Sequence, residues 1–148
     1  MVALGESSTA DRVSWFGILR HLLDLRRLVA AIRLTYLAVS GATTTQTLTS
    51  LPFSASSVPT GCSASSAPTT PRCIGGPGGP RLVGLSETER NLRILRSRAP
   101  ESAQWIWLTP TTVDEARIAA FEPFQRIGIA WARANIAAPR PCCTTWPS

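Results

Sequence analysis

Apolar residues recur along this chain in two rhythms, and a stretch with neither rhythm interrupts them. Residues 2–5, Val-Ala-Leu-Gly, form a short apolar run that stops at Gly5, the signature of a buried strand entering a turn. Between 13 and 31, Trp15, Ile18, Leu19, Leu22, Leu23, Leu25 and Leu28 return at three- and four-residue steps, which predicts a helix with one apolar side. Residues 32–39 alternate loosely and end at Ser40-Gly41, predicting a second strand. Residues 46–51 open a further helix.

Periodicity then disappears. Residues 53–73 are dominated by Ser, Pro, Thr and Ala, and a Gly-Pro run carries the same character to residue 80, so 53–80 is expected to be irregular. The pattern resumes at Ser86, which has Glu89 three residues later in capping-box spacing. A helix is expected over 87–98, with Leu92 and Leu95 inward and Ala99-Pro100 as its stop. Residues 104–108 are rich in Trp and Ile and read as a strand ended by Thr109-Pro110. A long loop to Pro123, a helix over 129–138 and an unstructured tail at 139–148 complete the reading. Alternating strands and helices predict an α/β fold on a parallel sheet, with 1–138 as a single domain containing the irregular insert.

Composition changes this picture little. The chain has 148 residues, enough for one domain with a moderate core. All 15 basic residues are arginine, and the formal net charge is +6. These charges are dispersed from Arg12 to Arg140 rather than gathered in a patch interleaved with aromatics, so no nucleic-acid partner is expected. Arg90, Arg93, Arg96 and Arg98 share a helix with Glu87 and Glu89 and read as a solvated face. No apolar run reaches the length of a membrane span, and the first residues lack the basic and apolar regions of a secretory signal. A cytoplasmic location is therefore expected, with no membrane partner. Cys62, Cys73, Cys142 and Cys143 include no CxxC pair, and His21 is the only histidine, so neither a metal nor any other cofactor is expected.

Two short segments carry candidate chemistry. Gly5-Glu6-Ser7-Ser8-Thr9-Ala10 follows the first strand. A serine on a strand-to-helix turn can present its hydroxyl above a sheet as a nucleophile, or it can simply cap the helix. Val39-Ser40-Gly41-Ala42-Thr43-Thr44 follows the second strand. Its glycine can bring a backbone N–H close to a substrate, or it can serve a plain turn.

Taken in order, the two segments resemble the first two conserved blocks of the SGNH (GDSL-type) serine hydrolases, Gly-Asp-Ser and Ser-Gly-Asp-Thr. Residues 85–96, 105–110 and 113–131 are similar to the body of such enzymes. The resemblance implies a three-layer α/β/α flavodoxin-like sheet and ester hydrolysis through an acyl-serine. It implies Ser7 as nucleophile and oxyanion donor, and Gly41 as a second donor through its N–H. A small ester would be the substrate. His21, on the first helix, does not correspond to the family's base and reads as a surface residue.

This chain departs from the family pattern at Glu6 and Ala42, which stand where the family carries Asp. It also lacks the third block, Gly-x-Asn-Asp, and the terminal Asp-x-x-His, so the domain is incomplete and activity is expected to be impaired. A non-catalytic degraded homologue, or a small α/β interaction protein, is the alternative. Codon degeneracy accounts for the gap. Shifted by one frame, codons 57–73 permit a peptide containing Val-Leu-Cys-Leu-Leu-Gly-Thr-Asn-Asp, an apolar strand followed by the absent block. The same shift over 138–148 permits a helix continuation, so two compensating frame disturbances and one terminal disturbance describe the sequence. All four cysteines fall within these segments.

Overall fold

The computed structural model describes residues 1–26, 32, 34–50, 63–66, 72–108 and 112–137. It is a mixed α/β structure with two small sheets. In the first sheet, β1 (Val2–Leu4) lies between β2 (Thr35–Tyr36) and β3 (Ser63–Ser66), and β5 (Trp105–Leu108) lies beyond β3. The order is β2-β1-β3-β5, and every pairing is parallel. In the second sheet, β4 (Arg72–Ile74) pairs antiparallel with β6 (Ile129–Trp131).

Register separates the faces of the first sheet. Val2 and Leu4 point to one side and Ala3 to the other. Trp105 stands in register with Val2 across β3, and Trp107 with Leu4. The core forms on this side from Val2, Leu4, Leu92 and Leu95, with Leu48, Trp105 and Trp107 packed against it. Leu48 belongs to α3 (Thr44–Ser50), and Leu92 and Leu95 belong to α4 (Leu85–Ser97). Leu92 and Leu95 are inward, as their spacing predicts. On the opposite side, Tyr36 is the register partner of Ala3, and its ring stacks on Phe16 of α2 (Trp15–Leu25) at 6.0 Å.

Local chemistry sets the helix boundaries, and several differ from expectation. The Ser14 hydroxyl accepts from Gly17 N–H at 3.1 Å and starts α2. Phe16 is the buried residue of α2, whereas Ile18, Leu22 and Leu25 are exposed; the long apolar pattern holds two stripes, of which one meets the sheet. Thr43 and Gln46 form a reciprocal capping box at the start of α3: Thr43 N–H donates to Gln46 Oε1 at 2.9 Å, and Gln46 N–H to Thr43 Oγ1 at 3.2 Å. The box expected at Ser86 does not form. Gly84 occupies the N-cap of α4 without a side-chain bond, and Ser86 lies inside the helix.

The insert at 53–80 is not irregular throughout, because it contributes β3 and β4. Backbone pairing with β1, β5 and β6 supplies the order that side-chain periodicity lacks. The loop expected before Pro123 contains α5 (Glu115–Ala120), capped by Asp114, and α6 (Glu122–Arg126), which has the proline in its first turn, where a missing N–H costs no hydrogen bond. The single helix expected over 129–138 is instead β6 followed by α7 (Arg133–Ala137). Gly128, which has φ +62°, precedes the strand, and Ala132 separates it from α7. The helix expected to reach residue 31 ends at Leu25, with Arg26 as its C-cap, and residues 27–31 and the tail at 139–148 lie outside the described residues.

Candidate active site

The parallel pairing of β1 and β2 brings both candidate segments to the same end of the sheet. The backbone bonds between the strands continue past them: Leu37 N–H donates to Ala3 O at 2.9 Å and Val39 N–H to Gly5 O at 3.1 Å. The turns that leave residue 5 and residue 39 are therefore neighbours. In open parallel sheets, ligands bind beyond the carboxyl ends of the strands, and this is such an end.

Ser7 opens α1 (Ser7–Ala10) and is half-buried. It is not the N-cap. Glu6 takes that place in extended conformation, and its Oε1 accepts from Ser8 N–H at 3.1 Å. Ser7 Oγ donates to Glu6 Oε2 at 2.5 Å, a distance typical of a charge-assisted hydroxyl–carboxylate bond. Glu6 is only 7% exposed. Burial pushes its carboxyl upward, but the hydrogen bonds from Ser7 and Ser8 outweigh it and hold the group below its ordinary value of 4.5.

Gly41 turns the chain after β2 with φ +79°, a left-handed conformation that suits glycine. Ala42 N–H closes the turn on Val39 O at 3.0 Å. On the other side of this turn lies Arg72, at the start of β4. Its Nη2 donates to Gly41 O at 2.7 Å and to Ala42 O at 3.2 Å, and its Nη1 lies 3.7 Å from where a side chain on Gly41 would begin. Arg72 is 7% exposed, and its Nε is buried with no hydrogen-bond partner. Burial lowers the guanidinium from its ordinary value, while the charge of Glu6 acts in the opposite direction.

The site thus assembles a hydroxyl, a buried carboxylate, a glycine turn and a buried cation. The sequence identified Ser7 and Gly41, and the structure brings them to adjacent strand ends. Glu6 was read as a replaced Asp rather than as a partner of Ser7. Arg72 was overlooked inside the stretch expected to be irregular. One signal could have found it: it is the only charged residue between Arg33 and Arg81. The segment that would carry a third block, between β3 and Arg72, lies outside the described residues. His21 is exposed on α2.

Among the described residues, no group of three His, Cys, Asp or Glu side chains could hold a metal ion. No helix among them is long and apolar enough to cross a membrane. No model of a known protein family matches this chain, and no curated protein matches it.

Proposed function

We propose that the chain is an incomplete ester hydrolase of the SGNH type, with Ser7 as nucleophile and the N–H groups of Ser7 and Gly41 as oxyanion donors. The observation that carries this reading is the juxtaposition of the two turns at the carboxyl ends of neighbouring parallel strands, with the Ser7 hydroxyl bonded to a carboxylate. The strand order β2-β1-β3-β5 agrees with the order in which a flavodoxin-like sheet begins, which supports the three-layer architecture that the resemblance implies. The position of β3 also supports it. The codons of Ser63–Ser66 lie within those whose shifted reading is Val-Leu-Cys-Leu-Leu, an apolar sequence suited to the centre of a parallel sheet.

The chemistry is acyl transfer to Ser7 followed by hydrolysis of the acyl-serine. Turnover is expected to be low. Losing one oxyanion donor costs about a hundred- to thousandfold, and losing the histidine base removes most of the remainder. No nucleic acid, membrane or cofactor enters this reading, and a cytoplasmic location accords with it.

The second reading, a non-catalytic degraded homologue, is favoured by the residues of β3 itself. Ser-Ala-Ser-Ser lacks the β-branched and aromatic residues that central strands favour. Hydrolysis of p-nitrophenyl acetate by the wild type and by Ser7→Ala separates the two. Turnover that the substitution abolishes supports the hydrolase; equal rates support the non-catalytic product.

A further inference from the structure

We propose that Glu6 is the proton acceptor for Ser7. This rests on the ester-hydrolase reading and adds to it the residue that activates the nucleophile. A serine hydroxyl is a weak nucleophile until a base within hydrogen-bond reach takes its proton. The partner of Ser7 Oγ is Glu6 Oε2 at 2.5 Å. Glu6 is sequestered from water at 7% exposure, and its other oxygen is fixed by Ser8 N–H at 3.1 Å, so the acceptor is oriented. His21, the only imidazole of the chain, is exposed on α2.

The step balances without any further reactant. Ser7 Oγ forms a bond to the ester carbonyl carbon while its proton passes to Glu6 Oε2. Collapse of the tetrahedral intermediate breaks the bond to the alcohol oxygen, which takes that proton from Glu6. Water then attacks the acyl-serine and gives a proton to Glu6, and this proton returns to Ser7 Oγ as the carboxylic acid leaves.

The charge environment fits a carboxylate that stays ionised. The charge of Arg72, on β4, acts on Glu6 through space, and the hydroxyls of Ser7 and Ser8 lie on the helix that Glu6 caps. β1 and the 39–43 turn carry no ionisable side chain, and Asp11 caps the opposite end of α1. A base held below its ordinary value accepts a proton less readily than imidazole, so turnover through Glu6 is expected to be slow.

The test is the pH dependence of p-nitrophenyl acetate hydrolysis for the wild type, Ser7→Ala, Glu6→Gln and His21→Ala. Because the base form of Glu6 is the carboxylate, the Ser7-dependent rate is expected to stay level through the imidazole range near about pH 6.5. It should fall only below pH 4.5, the ordinary value of the group. Glu6→Gln should lower kcat about a hundredfold or more, with far-UV circular dichroism unchanged because the amide oxygen still accepts from Ser8 N–H. His21→Ala should leave the profile unchanged. A Ser7-dependent rate that survives Glu6→Gln, or one that falls in the imidazole range near about pH 6.5, overturns the proposal and leaves the hydrolase standing. Equal rates for the wild type and Ser7→Ala overturn both. The pH profile does not involve Glu6→Gln, so that arm stays decisive if the variant fails to fold.

Discussion

Arg72 spans from β4 to two backbone carbonyls of a turn that follows β2. Replacing it by Met would strip Gly41 O and the buried Ala42 O of this donor, and leaving a buried acceptor unpaired costs roughly 1–3 kcal/mol. We expect a lower urea midpoint for Arg72→Met with an unchanged m-value. Glu6 makes a separate contribution that depends on pH. Its folded carboxyl titrates below its unfolded value, so the unfolded chain takes up the proton first as pH falls. The stability it supplies is complete above the unfolded value and is lost as pH drops through the folded one. Urea midpoints measured from neutral pH down through 4.5 should decline, and Glu6→Gln should flatten the part of the decline that belongs to this group. At this scale the sequence exposed Ser7 and Gly41 but not their partners. A carboxylate next to a serine looks like an ordinary helix cap, and an arginine without a periodic context has no visible destination.

Elements whose order comes from their own side chains were the ones legible in advance. The α4 stripe of Leu92 and Leu95 and the aromatic run of β5 declare themselves through spacing and residue type. The start of α3 was legible in principle, since Thr43 and Gln46 stand at capping-box distance. Thr43→Ala should cost about 1 kcal/mol through loss of the cap, and a thermal melt monitored at a helix wavelength would show it. The elements that escaped are those ordered by partners elsewhere in the chain. β3 has no apolar alternation and takes its place by pairing with β1 and β5, and β4 is fixed by β6, which begins 55 residues after Ile74, at Ile129. The run from 129 to 138 looked helical because Ile, Ala and Trp satisfy either period. Gly128, in left-handed conformation, precedes the strand, and Ala132 breaks it from α7. The capping expectation at Ser86 failed for a different reason: Gly84 already starts the helix two residues earlier.

At the scale of the molecule, the parallel sheet and the antiparallel ribbon are distinct hydrogen-bonded units. The ribbon is closed by its own pairing and by Gly75 N–H to Gly128 O at 2.8 Å. The Gly41 turn is closed by Ala42 N–H to Val39 O at 3.0 Å. Arg72 belongs to the ribbon and grips the turn, so it acts as a clasp between them. Separation of the ribbon withdraws the guanidinium, and release of the turn leaves that buried cation without its acceptors; each event makes the other easier. In native-state hydrogen exchange, the amides of Gly75 and Ala42 should therefore open in one cooperative unit with a shared free energy. Arg72→Met should split them into two units with different protection. Equal protection in the variant would count against the clasp. Breathing of a ribbon well removed in sequence from Ser7 would then set how long the Gly41 turn stays assembled.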